Sequence, residues 1–275
     1  MSEIENLVEA LPYISKYNGK VVVVKYGGAA MLDDTLQKAV MTDLVALKQC
    51  GLKPVVVHGG GKMINKNLEQ FDIKAEFVDG LRYTDKQTME IVQMTLIGDI
   101  SKYLVKLIQN IGGHAIGISG IDDSFITAEP MGKKYGLVGN VSEIDTTLMD
   151  ILIENNFIPV ISPVGVYNGK AFNINADMVA AAIASSLQAE KLIVLSNVDG
   201  VMNGKELISV LKLSEIPKLI DDKVITGAMI PKISACMDAL RLGVRNVHIV
   251  NGTIPHSILT EIFTDQGIGT IIERW

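Results

Sequence analysis

Short apolar runs without polar alternation recur along the chain and predict strands. Runs of this kind are typical of strands buried on both faces, as in parallel sheets. Six runs have this character: Val21–Val24, Pro54–Val57, Ala115–Ser119, Phe157–Ile161, Leu192–Leu195 and Val247–Val250.

Between these runs, apolar residues recur at the spacing of amphipathic helices. Asp33 or Asp34 is a start signal for the first helix, and Gly243 is a stop signal for the second. Strands that alternate with helices on both faces predict an α/β fold, a three-layer α/β/α sandwich around a mainly parallel open sheet. One helix face comprises Leu32, Leu36, Val40, Leu44 and Leu47, and another comprises Ile230, Ile233, Met237 and Leu240.

The middle of the chain predicts hairpins. Residues 77–84 and 124–141 contain short polar and β-branched stretches, and Asn168-Gly169 forms a hairpin turn signal between apolar flanks. Because no repeat or flexible linker separates these segments, we expect one continuous sheet with two lobes rather than independent domains.

Residues 1–19 precede the first strand and predict an amphipathic helix. Ile4, Leu7, Val8 and Leu11 have helical spacing, and Pro12 lies in the helix or near its end. The helix either packs on its own core or docks on another subunit, and the pattern does not choose between these.

Composition excludes several classes of protein. The 275 residues are 48% hydrophobic, which excludes disorder, and the net charge of -6 disfavours nucleic acid as a partner. The apolar stretches, such as residues 178–187, are shorter than the roughly 18 residues of a membrane span. Residues 1–10 lack the order of an export signal, and Cys50 and Cys236 are expected to be reduced, so we expect a cytoplasmic protein. No metal-ligand cluster is evident.

Glycines follow two of the buried runs. Lys25-Tyr26-Gly27-Gly28 follows the first run, and His58-Gly59-Gly60-Gly61 follows the second. One such pair is typical of a tight turn, but two of them after two buried strands, one beside a strand-end lysine, favour an anion site, because ligands bind at strand carboxyl ends. The chain has neither a Walker A pattern nor a GxGxxG dinucleotide motif.

Two lysines and an aspartate are candidates for phosphate chemistry. Lys25 ends the first strand, and Lys232 follows Pro231, a residue tolerated only in the first turn of a helix. Asp177 precedes an alanine-rich helix. Taken alone, the lysines could be solvated, and Asp177 could be an ordinary first-turn carboxylate.

Five ordered motifs, spread over essentially the whole chain, resemble the acetylglutamate kinases of the amino acid kinase family. They are Lys25-Tyr26-Gly27-Gly28, Val57-His58-Gly59-Gly60-Gly61, Gly80-Leu81-Arg82-Tyr83-Thr84, Asn173-Ile174-Asn175-Ala176-Asp177 and Gly227-Ala228-Met229-Ile230-Pro231-Lys232. The resemblance implies a sheet of about eight strands. It also implies transfer of the γ-phosphoryl group of ATP, bound with Mg²⁺, to the side-chain carboxylate of N-acetyl-L-glutamate in arginine biosynthesis. An acceptor lobe (about 20–174) and a nucleotide lobe (about 175–275) are implied as well.

The same resemblance implies roles for individual residues. Lys25 and Lys232 would stabilise the transition state, with Asp177 holding both. Arg82 and Asn173 would bind the acceptor. The remaining residues implied are Gly60 and Gly61 for substrate, Gly27, Gly28 and Gly59 for phosphate, and Asn197, Val198, Asp199, Gly200, Val201, Ile225 and Thr226 for the nucleotide.

A further resemblance concerns regulation. Residues 10–17 are similar to the N-terminal helix of arginine-inhibited members, which interlaces dimers into a hexamer. By the same resemblance, His248, Glu261 and Gly267 would belong to a site for L-arginine as inhibitor. Without the resemblance, Glu261 would be interpreted as a solvated helix charge.

Three positions depart from the pattern, and other functions stay open. Lys62, Tyr83 and Asn197 stand where proline, valine and aspartate are usual, and Asn197 leaves the nucleotide contacts in doubt. One alternative is a family member that acts on aspartate, glutamate, carbamate or a nucleoside monophosphate. Another is a non-catalytic arginine sensor. A nicotinamide oxidoreductase is disfavoured because its fingerprint is missing.

Overall fold

The computed structural model describes residues 3–227, 229–265 and 267–274. Its strands are β1 (Val21–Tyr26), β2 (Lys53–His58), β3 (Phe77–Val78), β4 (Leu81–Arg82), β5 (Ala115–Ser119), β6 (Ile126–Pro130), β7 (Val138–Ile144), β8 (Ile158–Ser162), β9 (Val164–Tyr167), β10 (Lys170–Ile174), β11 (Lys191–Ser196), β12 (Met202–Asn203), β13 (Glu206–Leu207), β14 (Val210–Lys212), β15 (Asn246–Asn251) and β16 (Thr270–Glu273). Its α-helices are α1 (Glu3–Tyr17), α2 (Asp34–Gln49), α3 (Gly61–Gln70), α4 (Lys86–Gln93), α5 (Ser101–Asn110), α6 (Thr147–Glu154), α7 (Ala176–Ser186), α8 (Ile216–Asp221), α9 (Met229–Arg241) and α10 (Ser257–Phe263). A π-helical stretch, Met94–Ile100, joins α4 to α5.

The main sheet has eight strands in the order β14-β16-β15-β11-β1-β2-β8-β5. Every neighbouring pair is parallel except β15 and β16. Five of the six apolar runs lie wholly in these strands and the sixth begins one residue before β8, so the predicted mainly parallel sheet is confirmed. The division of the chain into lobes stays a prediction.

Helices cover both faces of this sheet. Along β1, Val22 and Val24 belong to one apolar core, which also contains residues of α2 and α5. Val23 points to the other core, which contains residues of α7 and α9. This alternation follows from the two-residue period of a strand and produces the predicted three layers. The Asp33 carboxylate accepts hydrogen bonds from two backbone N–H groups of the first turn of α2, as the start signal implied.

The predicted hairpins form, but outside the main sheet. Strands β3 and β4 make a two-stranded sheet, whereas β6, β7, β9 and β10 make a four-stranded sheet closed on itself. The turn between β9 and β10 has positive φ at both Asn168 and Gly169, as the Asn-Gly signal implied. The expectation of one continuous sheet was therefore incomplete, because local turn signals do not reveal which sheet a hairpin joins.

The end of the N-terminal helix packs on the core of its own chain, and docking on another subunit stays a prediction. Tyr17, at its end, is buried in the core, and the Tyr13 hydroxyl donates a hydrogen bond to Asp265. Val8 and Leu11 are 57% and 52% exposed, so the preceding turns leave apolar surface uncovered. Pro12 lies inside the helix.

Within the described residues, no helix is long and apolar enough to cross a membrane. Both cysteines are free thiols, Cys236 in the core and Cys50 half-buried.

Candidate functional site

Three charged side chains converge where β1 ends and two helices begin. Lys25 comes from β1, Asp177 from the first turn of α7, and Lys232 from the first turn of α9. The Asp177 Oδ1 atom lies 3.0 Å from the Lys25 Nζ atom and 3.4 Å from the Lys232 Nζ atom. All three side chains are at most 18% exposed. The structure therefore contradicts both simpler interpretations: the two lysines are not solvated, and Asp177 is not an ordinary first-turn carboxylate.

Electrostatics favour the charged form of Asp177 in this cluster. Burial would raise the pKa of Asp177, but the charges and hydrogen bonds of Lys25 and Lys232 outweigh it and lower that pKa. Burial and the charge of Lys25 lower the pKa of Lys232, while Asp177 opposes this shift. One carboxylate shared by two lysines leaves a net positive charge in the cluster. An anion can bind there although the whole chain is acidic.

A cavity of about 240 Å³ opens on one side of Lys25. Arg82 lies in its wall, 8% exposed, and its Nη2 atom donates to the Gly61 carbonyl at 3.0 Å. The Nη1 atom of the same guanidinium is buried without a partner. Because a buried unpaired donor is costly, this atom favours a ligand with an acceptor oxygen. The polar lining also includes Gly59, Gly60, Asn173 and Asp177.

The backbone between β2 and α3 comes close to the π-helical stretch. A Cβ atom on Gly60 would lie 2.6 Å from side-chain atoms of Leu96 and of Ile100, so a larger residue does not fit. The N-terminus of α3 points its free N–H groups outwards from this turn, an arrangement that favours an anion.

A second cavity, of about 360 Å³, opens on the other side of Lys25 and is also lined by Lys232. Its walls include Gly28, Asn197, Val198 and Met229. The Asn197 Oδ1 atom accepts a hydrogen bond from the Ala29 N–H at 2.9 Å. A Cβ atom on Gly28, whose φ is +75°, would approach that oxygen to 2.5 Å. Asn197 therefore keeps the acceptor oxygen that an aspartate would offer here.

The remaining predicted nucleotide residues do not line this cavity. The Asp199 Oδ1 atom accepts from Asn251, and the Val201 N–H donates to Thr270 Oγ1. Gly200 also packs on Thr270. Ile225 is buried and Thr226 is exposed.

Gly27 lines neither of these two cavities, but it lies beside Lys25, which lines both. A Cβ atom on Gly27 would be 3.2 Å from the Lys25 Nζ atom. The residues proposed for phosphate thus surround Lys25: Gly59 on one side, Gly28 on the other, and Gly27 beside its ammonium group.

The predicted regulatory residues meet elsewhere, beside the end of α1. The His248 Nδ1 atom lies 2.6 Å from Glu261 Oε1, and Gly267 packs against the same carboxylate. The Ile268 and Gly269 N–H groups donate to Glu261 Oε2. Glu261 is 8% exposed, so the interpretation as a solvated helix charge is wrong.

Sequence reasoning missed Lys191 in this cluster. Its Nζ atom lies 2.9 Å from His248 Nε2 and 5.0 Å from the centre of the Tyr17 ring. Burial lowers the pKa of His248. Burial acts to raise the pKa of Glu261, but the hydrogen bond and charge of His248 and the backbone N–H groups of Ile268 and Gly269 outweigh burial and lower this pKa. A lysine at the start of a buried strand was the available signal, because such a residue needs a partner.

No group of three or more potential metal ligands exists among the residues that the structure describes.

The chain resembles known kinases over nearly its full length. A model of the amino acid kinase family matches residues 20–251. The acetylglutamate kinase of Desulforamulus reducens is 50% identical, over 97% of this chain and 96% of the relative. That of Clostridioides difficile is 48% identical, over 98% and 96%.

Solved structures share the fold. An N-acetylglutamate synthase from Neisseria gonorrhoeae, complexed with coenzyme A and N-acetyl-glutamate, has a TM-score of 0.88 at 28% identity. All of this chain is covered, but it spans only 64% of the synthase chain. Carbamate kinase from Giardia lamblia bound to AMP-PNP has a TM-score of 0.71 at 18% identity, over 94% of this chain and 99% of that one. The chain belongs to the amino acid kinase family and, within it, groups with the acetylglutamate kinases.

Proposed function

We propose that this protein transfers the γ-phosphoryl group of ATP to the side-chain carboxylate of N-acetyl-L-glutamate, a step of arginine biosynthesis. The carrying observation is the Lys25–Asp177–Lys232 cluster between two cavities, with Lys25 lining both. Relatives about 50% identical over nearly the whole chain are acetylglutamate kinases, which supports the same acceptor here.

In the proposed reaction, a carboxylate oxygen of the acceptor attacks the γ-phosphorus. The bond between that phosphorus and the β,γ-bridging oxygen breaks, and ADP leaves. The carboxylate is already ionised at neutral pH, so the step needs no general base. Lys25 and Lys232 neutralise charge on the transferred group, and Asp177 holds both ammonium groups in place as a positioning residue.

The cavity lined by Arg82 is proposed as the acceptor site. The unpartnered Nη1 atom and its Nη2 neighbour suit the two oxygens of the substrate α-carboxylate, a pairing that lysine cannot reproduce. Asn173 would bind the acetylamino group, and the N–H groups of Gly60 and Gly61 would face the reacting end of the acceptor. The volume of about 240 Å³ suits a small molecule of this kind.

The cavity lined by Asn197 and Val198 is proposed as the nucleotide site. Gly27, Gly28 and Gly59 would present backbone to the phosphates. Because the described residues offer no cluster of metal ligands, Mg²⁺ would be held through the nucleotide phosphates. Bound there, the ion neutralises phosphate charge. Asp199, Gly200, Val201, Ile225 and Thr226 would support this site from outside its wall.

Product analysis tests the proposal. With ATP, Mg²⁺ and N-acetylglutamate, the protein should form an acyl phosphate that hydroxylamine traps as a hydroxamate. Lys25→Ala and Lys232→Ala should lower kcat by at least about 100-fold, while the exposed-lysine controls Lys20→Ala and Lys218→Ala keep it. ADP release with aspartate, glutamate, carbamate or a nucleoside monophosphate instead would redirect the proposal to another family member.

We also propose inhibition by L-arginine at the cluster of Lys191, His248, Glu261 and Gly267. A carboxylate and a lysine that are linked through His248, beside an N-terminal helix, can recognise both ends of an amino acid. An N-acetylglutamate synthase 27% identical to this chain has been solved in complex with L-arginine. Arginine should raise the apparent KM for N-acetylglutamate, and Glu261→Gln should reduce this effect. The exposed-residue control Glu154→Gln should retain it.

A hexamer built through α1 is part of the same proposal. Val8 and Leu11 expose apolar surface that a second copy would cover. Light scattering should give the mass of six 29.7 kDa chains, and the double substitution V8E/L11E should give a smaller assembly. An unchanged mass in that variant would remove α1 from the interface.

A cytoplasmic location completes the proposal. The two free thiols suit a reducing compartment.

A further inference from the structure

A buried histidine lies beside the glycine turn of the acceptor cavity and takes no part in the proposed chemistry. His58 is the last residue of β2 and is fully buried. Its Nδ1 atom lies 2.9 Å from the Gly59 carbonyl oxygen, and its Nε2 atom lies 3.0 Å from Ser162 Oγ, at the end of β8. The ring therefore links the ends of two neighbouring strands to the turn.

The partners of this ring determine where its proton lies. Burial lowers the pKa of His58 to about 4, so the ring is neutral at physiological pH and carries one N–H. The Gly59 carbonyl can only accept, so Nδ1 must carry the proton. Nε2 then accepts from the Ser162 hydroxyl. The Ser162 hydroxyl also lies 3.1 Å from the Leu96 carbonyl oxygen. If it donated its proton there, the His58 proton would have to lie on Nε2, and the lone pair of Nδ1 would then face the Gly59 carbonyl oxygen.

The contact to Gly59 fixes a peptide plane. In a trans peptide, the C=O group and the following N–H group point in opposite directions. The structure has no cis peptide among its described residues, so a Gly59 carbonyl turned towards His58 turns the Gly60 N–H away from the ring. Gly60 lines the acceptor cavity, and in the described part of the chain its N–H has no protein acceptor.

We infer that His58, held as the Nδ1–H tautomer by the Gly59 carbonyl oxygen, is a positioning residue that aims the Gly60 N–H into the acceptor cavity. The inference rests on the proposed acceptor site. Leu96 joins the same network, since its side chain closes on Gly60 while its carbonyl lies beside Ser162. The contacts of Gly59 with His58 and of Gly60 with Leu96 limit how far the turn can move. The Gly60 N–H is therefore preorganised where the acceptor carboxylate and the transferred phosphoryl group meet.

Three variants separate positioning from packing. His58→Leu removes the donor to Gly59 and should lower kcat by about 10- to 100-fold, with KM for ATP within about twofold. His58→Asn keeps an N–H donor near the Nδ1 position and should restore kcat to within about threefold of wild type. Ser162→Ala keeps the Nδ1–H contact with Gly59 but removes the partner that fixes the other side of the ring, and it should give an intermediate kcat. Equal losses in His58→Leu and His58→Asn would overturn the inference.

A spectroscopic readout does not depend on the substrate. In protein with nitrogen-15-labelled histidine, the His58 signals, assigned by their loss in His58→Asn, should show the proton on Nδ1. In Ser162→Ala the proton should stay on Nδ1, because the Gly59 carbonyl oxygen still requires a donor. A proton on Nε2 in the wild type would overturn the inference even if His58→Leu fails to fold. Absence of acetylglutamate turnover in the wild type would instead count against the proposed function and leave the tautomer result standing.

Discussion

The substitution Asp177→Asn removes the one negative charge between two lysines while keeping the size of the side chain. At the 3.0 and 3.4 Å separations of its two ion pairs, unit charges attract by roughly 5 kcal/mol each at an effective dielectric constant of about 20. Desolvation offsets much of this attraction, and breaking a buried pair costs about 3–5 kcal/mol. Because the Asp177 side chain is 18% exposed, we expect a loss near the lower figure, about 3 kcal/mol, in the free energy of unfolding.

The effect on activity should exceed the effect on binding. Without Asp177, Lys25 and Lys232 repel each other, and their ammonium groups leave the positions they need. Misplacement of this kind should lower kcat by about 100- to 1000-fold. KM for N-acetylglutamate should change far less, since Arg82 is untouched.

The pH profile supplies a second signature. Burial and the charge of Lys25 lower the pKa of Lys232, and Asp177 opposes the shift. Removing that opposition lowers the pKa of Lys232 further. Since the charged lysine is the active form, the alkaline fall of kcat should begin at a lower pH in Asp177→Asn than in wild type.

Hydroxamate kinetics across pH and urea unfolding measure these effects. Asp150→Asn is a matched control, because Asp150 is an exposed carboxylate in the first turn of α6 and loses the same helix-dipole interaction. The reasoning is refuted if Asp177→Asn keeps kcat within about twofold of wild type and its alkaline limb does not move.

Two further predictions concern the cavities, and a third concerns an exposed ion pair. Arg82→Lys should raise KM for N-acetylglutamate by about 10- to 100-fold, with KM for ATP unchanged, because lysine lacks the guanidinium fork; equal changes in both KM values would contradict this. Asn197→Asp keeps the acceptor for the Ala29 N–H and should keep KM for ATP within about threefold of wild type. Asn197→Leu removes this acceptor and should raise KM for ATP by more than about threefold in the same initial-rate assay. Asp79→Asn breaks an exposed ion pair with Lys134 and should leave the midpoint of urea unfolding unchanged, and a clearly lower midpoint would show that this contact holds the β3–β4 hairpin.

The main sheet could be predicted because its signals are local. Continuous runs such as residues 21–24 and 192–195 contain only apolar residues, so a strand buried on both faces follows from the run itself. The Asp33 cap and the Asn168-Gly169 turn were readable for the same reason. Sheet membership of the hairpins depends on distant partners and could not be read in this way.

The site was predictable as a set of residues but not as a set of contacts. Glycine pairs after strands indicated an anion site, and the resemblance assigned roles to Lys25, Asp177 and Lys232. Their shared geometry joins segments far apart in the chain, and no spacing rule gives it. His58 and Ser162 are 104 residues apart, and each looks like an ordinary strand-end residue by itself.

Oxygen transfer tests the central claim most directly. N-Acetylglutamate whose side-chain carboxylate carries oxygen-18 should give, with ATP and Mg²⁺, an acyl phosphate whose phosphorus is bonded to the label, visible as an isotope shift in its phosphorus NMR signal. The signal should be lost in Lys25→Ala and kept in Lys20→Ala. ADP formation without label on phosphorus would contradict attack by the carboxylate at this site.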